Sequence, residues 1–330
     1  MSGHIMLRVL SSSDIRRAIT MQEAIEVMKN VFRQLSLGEA NVPLRTSIAS
    51  QSGLTLLMPA YLKTSNALGV KVVSVYTANT SRGLPTITGL TNVLDAQTGQ
   101  PVAVLEGTYL TSLRTGAASG AATDILAPED AHILTVFGAG TQARTQVEAV
   151  CCVRDIREIR VFSRTRRSTE TFAEELAHTY RNMTVTMSES PSKALKDANI
   201  VTTATNSFTP VFNGSDLMPG VHINAIGSFR PDMQEVDEFT VQRARVIVDK
   251  REAALSEAGD LMIPIQKGII TEQHIHAELG EIIIGAKPGR ENHNDITLFK
   301  SVGNAAQDIA IAQAILQSAE ASHLGKLVPF

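Results

Sequence analysis

The sequence predicts an α/β protein in two parts, one built on a doubly wound parallel sheet and the other an α+β region with a largely antiparallel sheet. Three observations carry this. From Ala131 onward, short apolar segments alternate with helical stretches: Ile133–Phe137, Glu158–Phe162, Thr184–Met187, Ile200–Thr203, 221–226 and Arg245–Val248. That alternation is what a doubly wound sheet needs. Residues 42–105 instead carry closely spaced strand-like runs with turn signals between them. Between the two rhythms, 132–144 reads HILTVFGAGTQAR, an apolar run entering a tight glycine turn and then a helix.

Residues 20–37 have apolar Ala24, Ile25, Met28, Val31, Phe32 and Leu35 at helical spacing. Thr20 and Glu23 form a capping box, and Gly38 stops the helix. Strand-like segments follow at 42–49, 54–60, 68–76, Ile87–Leu94 and 102–105, the last two joined by a hairpin-like connection over 95–101. Gly107–Leu126 is rich in small residues and reads as a helix joining the halves. Ser190 before Pro191 reads as an N-cap with proline at the first helical position. Residues 304–321 form an Ala/Ile-rich helix with too broad an apolar surface to stand free, so it packs on the N-terminal region or on a partner subunit. The expected domains are 1–125 with 305–330, and 126–304. The opening MSGHIM reads as partly an expression remnant, with Met6 as the natural start.

The glycine turn is a G-x-G-x-x-A unit. Gly138 permits the turn, Gly140 lets backbone approach a phosphate, and Ala143 takes the small position where helix meets strand. Such a Rossmann unit lays a pyrophosphate on a helix N-terminus. The second strand ends in Ser163-Arg164-Thr165-Arg166-Arg167, with no carboxylate to bind a ribose diol. Arginine there suits a 2′-phosphate, so NADPH is expected to be preferred, with NADH possible; Ser163 and Thr165 could add hydroxyl hydrogen bonds.

Composition narrows the classes further. The chain has 330 residues, 43% of them hydrophobic, and a net charge of −3. It has no long basic tract and few aromatic residues, which argues against a nucleic-acid binder. No apolar run reaches the ~20 residues of a membrane span, and the N-terminus shows no secretory apolar region. Cys151 and Cys152 are adjacent, an arrangement that suits a reducing cytoplasm.

Several residues could carry chemistry. Lys71 interrupts an apolar strand, either on a solvent face or pointing into a cleft to hold a carboxylate or assist proton transfer. Arg45 and Arg114 are single cations in uncharged stretches. Each alone suits a structural ion pair; with Lys71 they suit a small anionic substrate. Asp232 follows the 221–226 strand, where ligands of open parallel sheets bind. It reads either as an acid–base group or as the N-cap or a first-turn acid of a helix over 236–244. His274 and His276 have unfavourable spacing for a metal on a helix, and no cluster completes a set. Neither a G-x-S-x-G elbow nor a Walker lysine is present.

Four segments, Gly89 to Asp95 (GLTNVLD), Leu113 to Ser119 (LRTGAAS), Phe137 to Ala143 (FGAGTQA) and Phe299 to Asp308 (FKSVGNAAQD), resemble the ornithine cyclodeaminase/mu-crystallin family. The resemblance spans nearly the whole chain. It implies a homodimer with a substrate and dimerisation domain and a dinucleotide domain. Arg45, Lys71 and Arg114 match the family's carboxylate-binding and catalytic cations, and Asp232 matches its catalytic acid. Thr115, Gly138, Gly140, Thr141, Gln142, Ala143, Ser163, Arg164, Thr165, Ser228 and Ser301 fall where members contact the cofactor. True cyclodeaminases carry an Asp-Cys-Pro-Gly-Lys type sequence near Asp232 and a carboxylate at the ribose position. This chain has Arg230-Pro231-Asp232-Met233 and the Arg164 cluster, and is more similar to the ketimine reductases. The resemblance therefore implies a reductase of cyclic α-imino acids, Δ1-pyrroline-2-carboxylate to proline. The rival readings are an NAD-dependent cyclodeaminase releasing ammonia from ornithine, an alanine-type dehydrogenase, and a non-catalytic NADPH-binding protein.

Overall fold

The computed structural model describes residues 6–330; the expectation about the first five lies outside them. The described chain forms two compact units. One holds the residues up to Arg114 together with Asn304–Phe330, the other Thr115–Gly303. These boundaries, 114/115 and 303/304, differ from the expected 125/126 and 304/305.

The first unit begins with β1 (Met6–Leu10), α1 (Ser12–Ala18) and α2 (Met21–Ser36). Thr20 caps α2 as expected, accepting from Glu23 N while the Glu23 carboxylate accepts from Thr20 N. The chain leaves α2 through Gly38 at φ +71°, a conformation glycine adopts without strain. Strands β2 (Ala40–Asn41), β3 (Thr46–Ala49), β4 (Leu54–Leu62), β5 (Ala67–Val75), β6 (Ile87–Leu94) and β7 (Pro101–Glu106) follow. The expected strand over 42–49 is shorter, confined to β3, with β2 ending before it. Pro43 between them has no N–H to give to a ladder.

Helix α3 (Gly107–Leu126) is divided between the units, and packing explains where. A Cβ at Gly107 would collide with the backbone of Gly89, and one at Gly116 with the backbone of Thr145. The last turn is tied to the second unit. Arg154 donates to the carbonyls of Thr123, Asp124 and Ala127, and Arg290 donates to that of Leu126.

The second unit contains β8 (Ile133–Phe137), α4 (Thr141–Val153), β9 (Glu158–Phe162), α5 (Arg166–Thr179), β10 (Thr184–Met187), α6 (Pro191–Leu195) and β11 (Ile200–Thr203). It continues with β12 (His222–Ala225), α7 (Glu238–Arg243), β13 (Arg245–Val248), α8 (Arg251–Glu257) and α9 (Gly259–Gln266). It ends with β14 (Ile275–Glu278), α10 (Leu279–Ile283) and β15 (Thr297–Lys300). All its strand pairings are parallel, in the order β10-β9-β8-β11-β12-β15-β13-β14. Neighbouring residues feed different cores, Val136 and Ile200 one, Phe137 and Val201 the other. Both faces of the sheet are therefore covered, as a doubly wound fold requires. The sheet has two strands beyond the six expected, β14 and β15. Their sequences, IHAE and TLFK, are short and carry charged residues, so no apolar run marks them.

The chain then returns to the first unit with α11 (Ala305–Ala321) and β16 (Lys326–Pro329). That unit's sheet runs β16-β1-β7-β6-β5-β4-β2, with β3 also on β4. Only β1 and β7 pair in parallel. Helix α11 packs on β4, β5 and β6 and on α2, so its broad apolar surface is accounted for within the unit. No helix among the described residues is long and apolar enough to cross a membrane.

Candidate active site

In the first unit, Lys71 lies on the inward face of β5 with Ala67 and Gly69. A Cβ on Gly69 would strike the Asn92 carbonyl and Ile309. The bare glycine thus lets α11 sit directly on the strand, and the first turn of α11 meets Lys71. Lys71 is only 2% exposed, which rules out the solvent-face reading. Its Nζ donates to Asp308 Oδ1 at 2.9 Å. The same oxygen accepts from Arg114 Nε at 3.1 Å, and Arg114 Nη1 donates to Gln307 Oε1 at 2.9 Å. Asp308 is fully buried, and its Oδ2 has no hydrogen-bond partner among the described residues; neither has the buried hydroxyl of Thr91, which pairs opposite Lys71.

Burial pushes Lys71 down from the usual lysine range to about 8. Asp308 opposes that fall, and the Arg114 and Arg45 charges add to it. Arg45 is half-buried and belongs electrostatically to this cluster. The three cations singled out from the sequence therefore come together, on a carboxylate the sequence reading did not single out. Asp308 had one available signal: it is the one acid in the long apolar stretch 304–319.

In the second unit, Gly138 adopts φ +113°, and a Cβ there would strike the Ala204 carbonyl. Gly140 faces open space and is the N-cap of α4 with no side-chain cap bond. Ala143 is buried against the strand core. The Gln142 Oε1 beside this turn is buried without a partner among the described residues. Uncapped first-turn amides and an open Gly140 fit a bound pyrophosphate. Arg144, whose part here the sequence reading missed, holds the turn by donating to the carbonyls of Ala139 and Gly140.

At the end of β9, Arg164 is exposed with no hydrogen bond or ion pair among the described residues. Arg166 is engaged with Glu170. The hydroxyls of Ser163 and Thr165 hold the start of α5. Thr165 accepts from Ser168 N, and Ser163 Oγ donates to the Thr165 carbonyl. Thr115 is buried in α3 and Thr141 is exposed at the start of α4.

Asp232 lies in the loop after β12, half exposed and paired with Arg230 at 2.6 Å. It is not a helix cap; Asp237 caps α7, which begins at Glu238 rather than near 236. Beneath this loop is a second buried cluster. Glu235 Oε2 accepts from Thr203 Oγ1, Gly227 N and Ser228 N, and Oε1 accepts from Thr205 N. Asp260 Oδ1 accepts from Glu235 N and Val236 N, while Oδ2 accepts from Lys300 Nζ at 2.9 Å. A Cβ at Gly259 would collide with the Met233 carbonyl. Burial and the neighbouring Asp260 push Glu235 upward from the usual carboxylate range. The Ser228 hydroxyl donates to Met233 O and that of Ser301 to Asp249. His274 and His276 bond to backbone carbonyls. Among the described residues no group of three or more His, Cys, Asp or Glu could hold a metal ion.

A doubly wound dinucleotide unit joined to a buried cation–carboxylate cluster defines a nicotinamide-dependent oxidoreductase. The chain belongs to the ornithine cyclodeaminase/mu-crystallin family, whose model matches residues 6–323. It is 40% identical over 325 residues to a Δ1-pyrroline-2-carboxylate reductase of Bacillus cereus, covering 98% of this chain and 99% of the relative. The solved structure of the Thermococcus litoralis Δ1-pyrroline-2-carboxylate reductase in complex with NADH and L-proline superposes with a TM-score of 0.93. It is 43% identical, with 97% of this chain and 100% of that one covered. An archaeal alanine dehydrogenase dimer with bound NAD superposes with a TM-score of 0.92 at 33% identity, covering 98% and 99%.

Proposed function

We propose that the protein reduces cyclic α-imino acids, converting Δ1-pyrroline-2-carboxylate to L-proline. The observation that carries this reading is the convergence of Lys71 and Arg114 on one buried carboxylate oxygen, with Arg45 close enough to act on Lys71. Lys71 and Arg114 share one carboxylate oxygen there, and a substrate carboxylate arriving at the cluster would meet both cations.

When bound, the dihydronicotinamide supplies the hydride that forms the new C–H bond at the imine carbon. Arg45 and Arg114 hold the substrate carboxylate and so fix the ring in place. As the C=N π electrons move to nitrogen, that atom takes a proton. Lys71 and Asp232 are the groups that would supply or relay it, and solvent restores it. Gly138, Gly140, Thr141, Gln142 and Ala143 hold the pyrophosphate. Thr115, Ser228 and Ser301 complete the cofactor site in this reading.

NADPH is the preferred donor in this reading and NADH a usable one. Arg164, exposed and without a hydrogen bond or ion pair among the described residues, supports it, with no acid at the end of β9. One charge-assisted contact contributes about 1.5–3 kcal/mol. Arg164→Ala is therefore expected to raise KM for NADPH roughly tenfold to a hundredfold and leave that for NADH nearly unchanged. Equal weakening of both would remove the assignment. The protein acts as a cytoplasmic homodimer. Exposed Leu44, Ile48 and Leu84 of the first unit support association, as light scattering would show.

The deciding assay adds the imino acid to enzyme and NADPH. Steady loss of NADPH with formation of L-proline is expected. Ammonia release from L-ornithine without net cofactor change would replace this reading with a cyclodeaminase.

A further inference from the structure

We infer that Asp308 is a positioning residue for imine reduction, holding Lys71 in its protonated form inside the buried cluster. This rests on the reductase reading of the same site.

The geometry limits what else could do so. Lys71 is packed between β4 and β6, whose opposing residues, Met58 and Thr91, carry no charge. Helix α11 brings Asp308, α3 brings Arg114, and the segment before β3 brings Arg45. Asp308 is thus the one anion facing Lys71 among these elements, against two other cations. Burial and both arginines favour neutral lysine; only the contact to Asp308 Oδ1 favours the ammonium. Among the described residues no backbone N–H donates to this carboxylate and Oδ2 is unpartnered, so its charge is directed to Lys71 and Arg114. A neutral side chain at 308 would leave Lys71 beside two cations with no counter-charge.

The test compares wild type, Asp308→Asn and Asp308→Glu by two readouts. The first is the pH profile of NADPH-dependent reduction of Δ1-pyrroline-2-carboxylate. The second is the NMR titration of 13Cε-labelled lysine, with Lys71→Arg identifying the resonance. NADPH fluorescence on binding reports that the cofactor unit is intact. In wild type, turnover falls as pH rises through about 8. In Asp308→Asn both the fall and the Lys71 resonance move down by about 1–3 pH units. The loss is then larger at pH 8 than near pH 6, and Asp308→Glu returns both toward wild type. A Lys71 resonance that titrates in Asp308→Asn where it does in wild type would overturn the inference, as would an equal loss of rate at every pH. If wild type reduces no imino acid, the reductase reading fails by itself, and the NMR titration decides the role of Asp308.

Discussion

The two buried lysine–aspartate pairs have the same nitrogen–oxygen distance, 2.9 Å, and opposite character. Around Lys300, every carboxylate oxygen of Asp260 has a donor, and Glu235 beside it accepts four. Around Lys71, one oxygen of Asp308 serves two cations and the other serves none. A buried charge is tolerable when its hydrogen bonds are complete, and it then fixes geometry. Incomplete bonding leaves a group able to exchange a proton or accept a ligand. Distance alone does not separate a structural pair from a reactive one; the count of satisfied lone pairs does.

This contrast can be broken directly. Lys71→Met is expected to slow imine reduction by about 10²–10⁴-fold with little change in NADPH affinity, read from steady-state rates and cofactor fluorescence. Lys300→Met leaves Asp260 without its counter-ion and should lower stability by about 3–5 kcal/mol, measured by urea unfolding. Lys71→Met should cost less than that, because Arg114 still donates to Asp308. Arg114→Lys removes the fork shared by Asp308 and Gln307. A rise in KM for the imino acid of roughly tenfold to a hundredfold is expected, with a smaller change in kcat. The smallest effects sharpen the comparison most. Thr203→Val removes a donor to Glu235 and should cost about 1.5–3 kcal/mol. Thr91→Val replaces a hydroxyl that already lacks a partner and should be nearly neutral. Equal costs for the two threonines would mean that bonding completeness does not distinguish the regions.

Much of this was legible in the sequence because it is local. The capping box of Thr20 and Glu23, the glycine turn, and β8 through β11 all follow from residues within one element. Lys71, Arg45 and Arg114 stood out as lone cations in uncharged stretches. What stayed hidden depends on long-range contact. Asp308 lies 237 residues from Lys71, and nothing near 308 announces a partner on β5. Strand β15 was obscured by Lys300, whose charge reads as exposure until Asp260 is found opposite it. The limits of the 42–49 run depended on Pro43, and the dividing point within α3 depended on which backbones Gly107 and Gly116 approach.

The division of the chain also orders events in time. The second unit is one continuous stretch, Thr115–Gly303, whereas the first is interrupted by it. Chains fold by unit as they emerge, at about 5–20 residues per second. The cofactor unit has all its strands before α11 has left the ribosome. Until then β5 lacks the helix that covers it, and Lys71 has no aspartate. The nascent protein therefore completes the Lys71–Asp308 contact late, once the residues after Gly303 have emerged and the strands of the cofactor unit are already out.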